Sequence, residues 1–502
     1  MKKFFLYITI GCTMLFASGC SKFLDQEPIS KPTDQNFWKN EAEGNSAVAG
    51  IYALLRKALT GGDADLYFAH GDYPSDEFNV DRVGGDARSA AAIDWSVFVD
   101  TNSKPYRSIV AYRRYDNFYR IIDQANRCIK LLPTIPLSEY TSGNPEAARD
   151  ALMAEAYFMR AYTYFYMARV WGDVPLVLES VTDLAGAPLL ARTPQAEVLA
   201  QCIKDCEAAL PKSTYGHRSS ADRGIRANKS AVFALLAHIY AWQGNYAKVI
   251  PAADSVISKG GFALADRRAI PAMFSATVSS EGIFEIAMSS TTEGNSNGIA
   301  FKTLVAPYLM TNTSTIPPYG LDKNHLYSTT NPDALFTNLN DLRAQHAFAF
   351  MTTGQEPICI KYSNIAYTQT GNQNPLARNN IIIFRLSDIV LLKAEALAAT
   401  SAFGDARTAL NSIRAAAEAG DTDATDAGLF EAVIQERARE LFLEGHRFYD
   451  MIRLARAKQV YKFGAKMDAA SFAAGKYYWP LDMLLLVLNP KLTQTPFWEG
   501  KL

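Results

Sequence analysis

Helix-period patterning constrains this chain most, and it is clearest in the run SAVFALLAHIYAWQGNYAKVIPAADSVI at residues 230–257. Leu236, Ala237 and Tyr240 share one helical face, Gly244 supplies a turn, and Tyr246 and Ala247 open a second helix. Residues 387–416 repeat the grammar, with Leu392, Ala394 and Ala396, a turn near Gly404, then Ala406, Leu410 and Ile413. Small residues let paired helices approach closely, and large apolar ones fill the seam. Such units resemble tetratricopeptide repeats, which bury their apolar faces by stacking on neighbours. Further helical patterns span 37–59, 110–132, 145–170, 193–210, 228–243, 246–258 and 429–463, with Asn36 placed to cap the first. The expected fold class is therefore mainly α, with tetratricopeptide-like helix-turn-helix repeats and a loop-rich irregular region.

That irregular region has two parts. Residues 61–107 lack sustained periodicity and hold Gly71, Pro74, Gly84, Gly85 and Pro105 among acids and aromatics. A loop of that length inside a compact domain is usually functional. Residues 259–380 carry short β-like runs at 283–288 and 358–362 among Gly, Asn, Thr and Ser, which predicts a loop-rich insertion on one face of a helical scaffold. The chain ends in a nonhelical aromatic tail around Tyr477, Tyr478 and Trp479.

The N-terminus predicts an address. Lys2 and Lys3 precede an apolar run at 4–16, then the small residues Ala17, Ser18 and Gly19, then Cys20. This order looks like a lipobox, with residues 1–19 a signal peptide and Cys20 the acylated first residue of the mature chain. Two or three acyl chains anchor stably where one is marginal. Residues 20–36, with Pro28 and Pro32, read as a flexible tether, and 37–502 as one domain. No later apolar run reaches about 18 residues, so the chain is expected to be anchored to a membrane and not threaded through it. The 50 basic and 51 acidic residues leave a formal charge of −1, which provides no global field for nucleic acid. Cys202 and Cys206 lie four apart on a predicted helix; without a nearby His or second Cys pair at ligand spacing they read as core, not as a redox pair or half a metal site.

Several segments resemble the SusD/RagB family of outer-membrane lipoproteins. FLDQEP after Cys20 looks like its N-terminal signature, and YFMRAYTYFYMARVWGDVPLV like its helix ending in a Gly, Asp, Val, Pro turn. IIFRLSDIVLLKAEAL followed by LNSIRAAA, then IQERARELFLEGHRFYDMIRL, then WPLDMLLLVLNPKLTQTP are similar to later hallmarks, in the same order. Asp341, Leu342 and Arg343 also sit where the family often has such a triplet. The resemblance implies a tetratricopeptide-like fold with an irregular ligand-binding side, exposure on the outer membrane surface, and a SusC-like TonB-dependent transporter as partner. It implies capture of glycans or, in RagB-like members, peptides, with no catalysis and no cofactor.

Three constellations bear on function. Arg437, Glu440, Glu444 and Arg447 fall on one stripe if their helix continues through Gly445. With His446 they could suggest acid/base chemistry, but an ion network locking helices is the expected reading. The string at 294–298 (GNSNG) imitates a nucleophile elbow, yet an elbow needs a strand running into the Ser and a helix leaving it, whereas five polar or small residues precede the first Gly and Asn297 and Gly298 follow the Ser, so a turn is expected. Aromatics are the remaining chemistry, with 6 Trp, 27 Phe and 25 Tyr. Aromatic faces stack on the C–H faces of sugars while Asp, Asn and Arg bond the hydroxyls, so both kinds should converge in loops. The candidates are Trp95, Tyr73, Asp72, Asp76 and Asn102 from the early region and Tyr308 and Tyr319 from the later one, with Tyr327, Tyr362 and Tyr367 near them. Trp95 leads, because glycan-binding members of the resembled family commonly stack sugar on an aromatic from that early loop. The expected function is a surface lipoprotein that binds oligosaccharide and delivers it to its transporter. Peptide uptake is the alternative; less favoured are a secreted glycoside hydrolase, which needs two carboxylates about 5–10 Å apart across a cleft, and a scaffold role without soluble ligand.

Overall fold

The computed structural model describes residues 37–60, 65–97, 108–181, 188–288, 298–311, 314–367 and 374–502. The signal peptide, Cys20, the tether, Asn36, Asn102 and residues 294–297 lie outside the described residues.

The long helices are α1 (Glu41–Thr60), α2 (Asp116–Leu131), α3 (Pro145–Trp171), α4 (Gln195–Ala209), α5 (Lys229–Trp242), α6 (Tyr246–Lys259), α7 (Leu386–Ala399), α8 (Phe403–Ala416), α9 (Leu429–Glu440) and α10 (Arg447–Lys458). Their starts follow from local chemistry. Asn144 accepts a hydrogen bond from the Ala147 amide and Pro145 opens α3, while Asn228 accepts from Ala231 at the head of α5. Asn40 performs this service for α1, accepting from the Glu43 amide. Between α5 and α6, Gly244 takes the left-handed φ of 72° that the turn requires.

Successive helices stack. α1 packs on α2 and α3, α3 on α4, α4 on α5, α5 on α6, α6 on α7, and α7 on α8 and α9. This is the nearest-neighbour arrangement of tetratricopeptide-like repeats. α3 is about 40 Å long at 1.5 Å per residue, and from Leu152 onward nearly all of its side chains are buried, so it is the spine of the main core. Cys202 and Cys206 are buried in α4 as free thiols, and burial pushes both well above the usual thiol pKa, as expected of core residues.

The insertion carries short antiparallel pairs. β1 (Phe78–Val83) pairs with β3 (Tyr319–Leu321), β2 (Gly282–Ile286) with β8 (Ile381–Arg385), β4 (Phe348–Ala349) with β5 (Ile358–Cys359), and β6 (Ile365–Tyr367) with β7 (Pro375–Ala377). β2 and β8 are wholly buried and run against α5, fastening the insertion to the repeats.

Three expectations need correcting. The predicted 110–132 helix is two pieces, Ser108–Tyr112 and α2, separated at 113–115. The 429–463 helix ends at Glu440 and restarts at Arg447, with Leu443 and Gly445 at φ 58° and 78°. Residues 65–97 are not one irregular loop, because a helix (Leu66–Gly71), β1 and a second helix (Asp86–Ala91) organise them, with Tyr67, Phe68, Tyr73, Phe78 and Trp95 buried in the core, and elements this short leave no period to read.

Candidate ligand-binding site

Four of the early candidates are structural. Trp95 is fully buried, its ring stacked on Trp479 at 3.9 Å and 8°, with Trp498 and Phe448 also against it. Its Nε1 donates to the Ala90 carbonyl at 3.2 Å, so the ring has no face left for a sugar. Tyr73 is equally buried, edge-on to Phe78 and Tyr319. Asp72 accepts the Gly445 amide with both oxygens, at 3.0 and 2.8 Å, and burial pushes its pKa well up against that hydrogen bond. Asp76 takes two hydrogen bonds from Arg447, at 2.7 and 2.6 Å. Burial alone would raise its pKa, but Arg447 and His325 outweigh it and hold the carboxyl well below the usual range. This geometry gives all four residues structural partners: charges and large rings in this segment fix it to the 441–447 turn and the aromatic tail.

The charged stripe is an ion network, although the helix break means that it is not one helical stripe. Glu440 lies 2.7 Å from Arg385, 2.8 Å from Arg267 and 3.1 Å from Arg343. Glu444 pairs with Arg385 at 2.7 Å and Lys361 at 2.5 Å, and Arg437 bridges Asp388 and Asp450 at 2.8 Å each. Burial would raise the Glu440 pKa, yet Arg267, Arg385 and Arg343 hold it well below the carboxylate range. His446, desolvated, falls to about 4 despite Asp388. The space beside Arg267, Arg385 and Glu440 is about 10 Å³, room for at most one water. These groups join β8, α7, α9 and α10 and have no room to work on a substrate.

The later candidates sit differently. The β1–β3 ribbon brings Tyr319 half-exposed beside Lys302, whose Nζ lies 5.5 Å from the ring centre and 2.5 Å from Asp65. The short helix Gly298–Thr303, which carries Lys302, packs on both β3 and β7 and so links the ribbon to the β6–β7 hairpin. On the hairpin, half-buried Tyr367 accepts the Met310 amide at 2.9 Å through its hydroxyl. Tyr308, two residues earlier, meets Phe350 edge-to-face at 6.2 Å. Met310 and Ile316 are 49% and 53% exposed on the same stretch. Around them Arg82 pairs with Glu356 at 2.9 Å and Arg88 with Asp81 at 2.8 Å, both pairs open to solvent. This loop-rich face therefore offers partly exposed aromatic rings rimmed by charged groups, a mixture suited to sugar recognition. Tyr362, by contrast, is buried and donates to the Leu443 carbonyl. Phe350 was missed by sequence reasoning; its φ of 64° is the kind of signal only coordinates reveal.

A separate cleft of about 610 Å³ lies beside the first half of α3, lined by Ser142, Asn144, Lys212, His217, Arg218 and Arg226 among others. Its charges are internally matched: Arg218 and Arg226 both grip buried Glu155, and Lys212 faces Asp150 at 3.2 Å. Among the described residues no group of His, Cys, Asp and Glu could hold a metal ion, and no helix is long and apolar enough to cross a membrane.

Comparison with known proteins gives a consistent answer. A model described as "SusD family" matches residues 337–498, and one described as "Starch-binding associating with outer membrane" matches 22–241. SusD-like protein P38 of Formosa agariphila is 26% identical over 546 aligned positions, covering 98% of this chain and 99% of that one. A SusD superfamily crystal structure from Bacteroides thetaiotaomicron superposes with a TM-score of 0.76 at 25% identity, covering 92% of this chain and 99% of the other. NanU of B. fragilis shares the fold, with a TM-score of 0.68 at 24% identity over 94% of this chain and 99% of that one. With two family models spanning both ends and a relative aligned along nearly the whole length, the chain belongs to the SusD family.

Proposed function

We propose that this protein is an outer-membrane-associated binding protein that captures oligosaccharide on its loop-rich face and delivers it to a SusC-like TonB-dependent transporter, without catalysis. The observation that carries the binding site is the group of partly exposed aromatics, Tyr319 on the β1–β3 ribbon and Tyr367 on the β6–β7 hairpin, with Tyr308 and Phe350 edge-to-face on adjoining loops and ion pairs at the rim. Support for the ligand class comes from the family description, which names starch binding and the outer membrane. In this reading Cys20 is acylated and the tether lets the domain move beside its partner on the cell surface.

Incubation of the purified protein with a glycan panel, followed by analysis of both retention and products, tests it. Retention without products is expected. Tyr308→Ala is expected to weaken binding about tenfold, the loss of one stacking contact of about 1.4 kcal/mol, with a small drop in the unfolding midpoint from the lost contact with Phe350. Hydrolysis products, or retention of peptides alone, would overturn the reading. Co-purification with a transporter barrel tests the partner, and protease shaving of intact cells tests the exposure.

A further inference from the structure

A polar pocket of about 260 Å³ opens between the 335–341 segment, the end of α8 with its 418–420 turn, and the last turn of α9. Two guanidiniums form its back wall. Arg414 donates to the carbonyls of Gly420 at 2.7 Å and Ala419 at 3.0 Å, and to Glu436 Oε2 at 2.8 Å. Arg439 donates to the Leu335 carbonyl at 2.6 Å and to the same Glu436 Oε2 at 2.9 Å. Its Nη2 has no hydrogen-bond partner among the described residues. A third guanidinium, Arg343, lies 2.6 Å from Glu436 Oε1.

Three cations thus converge on one buried carboxylate. The other acids nearby are already engaged. Asp341 is tied to Arg343 at 2.7 Å, Glu418 on the rim is held by Arg268, and Glu440, which also reaches Arg343, is matched by Arg267 and Arg385. Arg414 and Arg439 therefore share the single carboxylate of Glu436 between them, which leaves the pair with an excess of positive charge, and each keeps part of its side chain exposed (18% and 23%). The electrostatics agree with the geometry: burial would raise the Glu436 pKa, yet the three arginines hold it at about 2. Arg439 is itself pushed down, by burial and by Arg343 and Arg414, in spite of Glu436. Guanidiniums fixed by backbone carbonyls are already in place for a planar or tetrahedral oxyanion, and little side-chain entropy remains to be lost on binding. Thr337, Asn338 and Asn340 on the opposite wall add polar groups.

We propose that this pocket is an oxyanion site, which takes the sulfate ester or carboxylate of an anionic ligand against Arg439 and Arg414. That the oxyanion is carried by a sugar rests on the reading above; the site itself does not.

The test is calorimetric titration of the full-length protein with inorganic sulfate and with glucuronate, using glucose as the neutral control. Saturable binding of at least one anion at one site per chain, without binding of glucose at this site, is expected. Sulfate alone would assign a sulfate ester, and glucuronate alone a uronic acid. Arg439→Gln should weaken the anion about tenfold or more, the worth of one charge-assisted hydrogen bond. Asn338→Asp places a negative charge on the rim, retains the acceptor that Asn338 Oδ1 offers the Asn340 amide, and leaves the buried network untouched. It should weaken the anion comparably with no change in the unfolding midpoint. Absence of saturable binding by both anions, or affinities unmoved by both variants, would overturn the proposal. Since inorganic sulfate is not a glycan, that failure would leave glycan capture on the loop-rich face standing, and failure of a neutral glycan panel would leave this site standing.

Discussion

Replacing Trp95 by alanine separates a structural tryptophan from a ligand platform. The side chain is fully buried, stacked on Trp479 at 3.9 Å and bounded by Trp498 and Phe448. A buried aromatic removes about 150–250 Å² from water, which at about 25 cal/mol per Å² is roughly 4–6 kcal/mol. Residual burial in the unfolded chain lowers that figure, while the cavity left against three aromatic rings adds to the cost. The lost indole hydrogen bond contributes little, because the Ala90 carbonyl still accepts the Ile93 amide at 3.2 Å. The expected loss is about 3–5 kcal/mol, in the range of tryptophan and phenylalanine truncations in cores. Urea unfolding followed by far-UV circular dichroism reads it as a lower midpoint, and Trp95→Phe should recover part of the loss. A midpoint unchanged in the alanine variant, together with abolished ligand retention, would refute the reasoning and return Trp95 to the binding surface.

Glu440→Gln should cost about 3–5 kcal/mol, because it leaves Arg267, Arg343 and Arg385 buried with one countercharge fewer; thermal or chemical denaturation checks it. Glu436 is held at about 2 in the folded chain, below its unfolded value of about 4.3. Its contribution is therefore present above about pH 4.3 and is lost as pH falls towards 2, which denaturant midpoints from pH 5 to 2.5 would follow. Glu285 runs the other way: burial raises it to about 8, with Asn380 only partly opposing. The folded state keeps a proton that the unfolded state releases above about pH 4.3, so stability falls as pH rises from there to about 8. Glu285→Gln should consequently stabilise the protein at pH 7, on the order of 2 kcal/mol, and have little effect at pH 4; equal midpoints at pH 7 would refute it.

The helical repeats were legible because their signals are local. Asn144, Asn228 and Gly244 announce caps and a turn within a few residues, and α6 and α8 each bury a single stripe (Val249, Ala252, Ala253 and Val256; Ala406, Leu410 and Ile413) while α5 and α7 are apolar and buried nearly all round. The 65–97 segment was not legible, because its rings and acids answer to partners more than 300 residues away: Asp72 to Gly445 at a separation of 373, Arg447 to Asp76 at 371. From sequence such residues look like unattached polar and aromatic groups in a loop, which is also how ligand contacts look. The ion network was readable in kind from the spacing of Arg437, Glu440, Glu444 and Arg447, but not in shape, since Gly445 turns the chain where periodicity runs on. Tyr308 and Tyr319 are loop-borne aromatics in the sequence and stay partly exposed in the fold, while the pairing of Arg414 with Arg439 over Glu436 joins two helices with no shared motif.

The 441–447 turn also sets a clock on folding. Its donors and acceptors are met by early residues: Asp72 takes the Gly445 amide, Glu77 the Leu443 amide, and Tyr67 donates to the Glu444 carbonyl, at separations of 373, 366 and 377 residues. None of these bonds can form until the chain through residue 445 is available, so wherever the chain emerges N-terminus first the early segment waits for its partners. During that interval Tyr67 lacks the Glu444 carbonyl and the Gly445 backbone it packs on, and apolar surface left uncovered in this way is prone to misassociation.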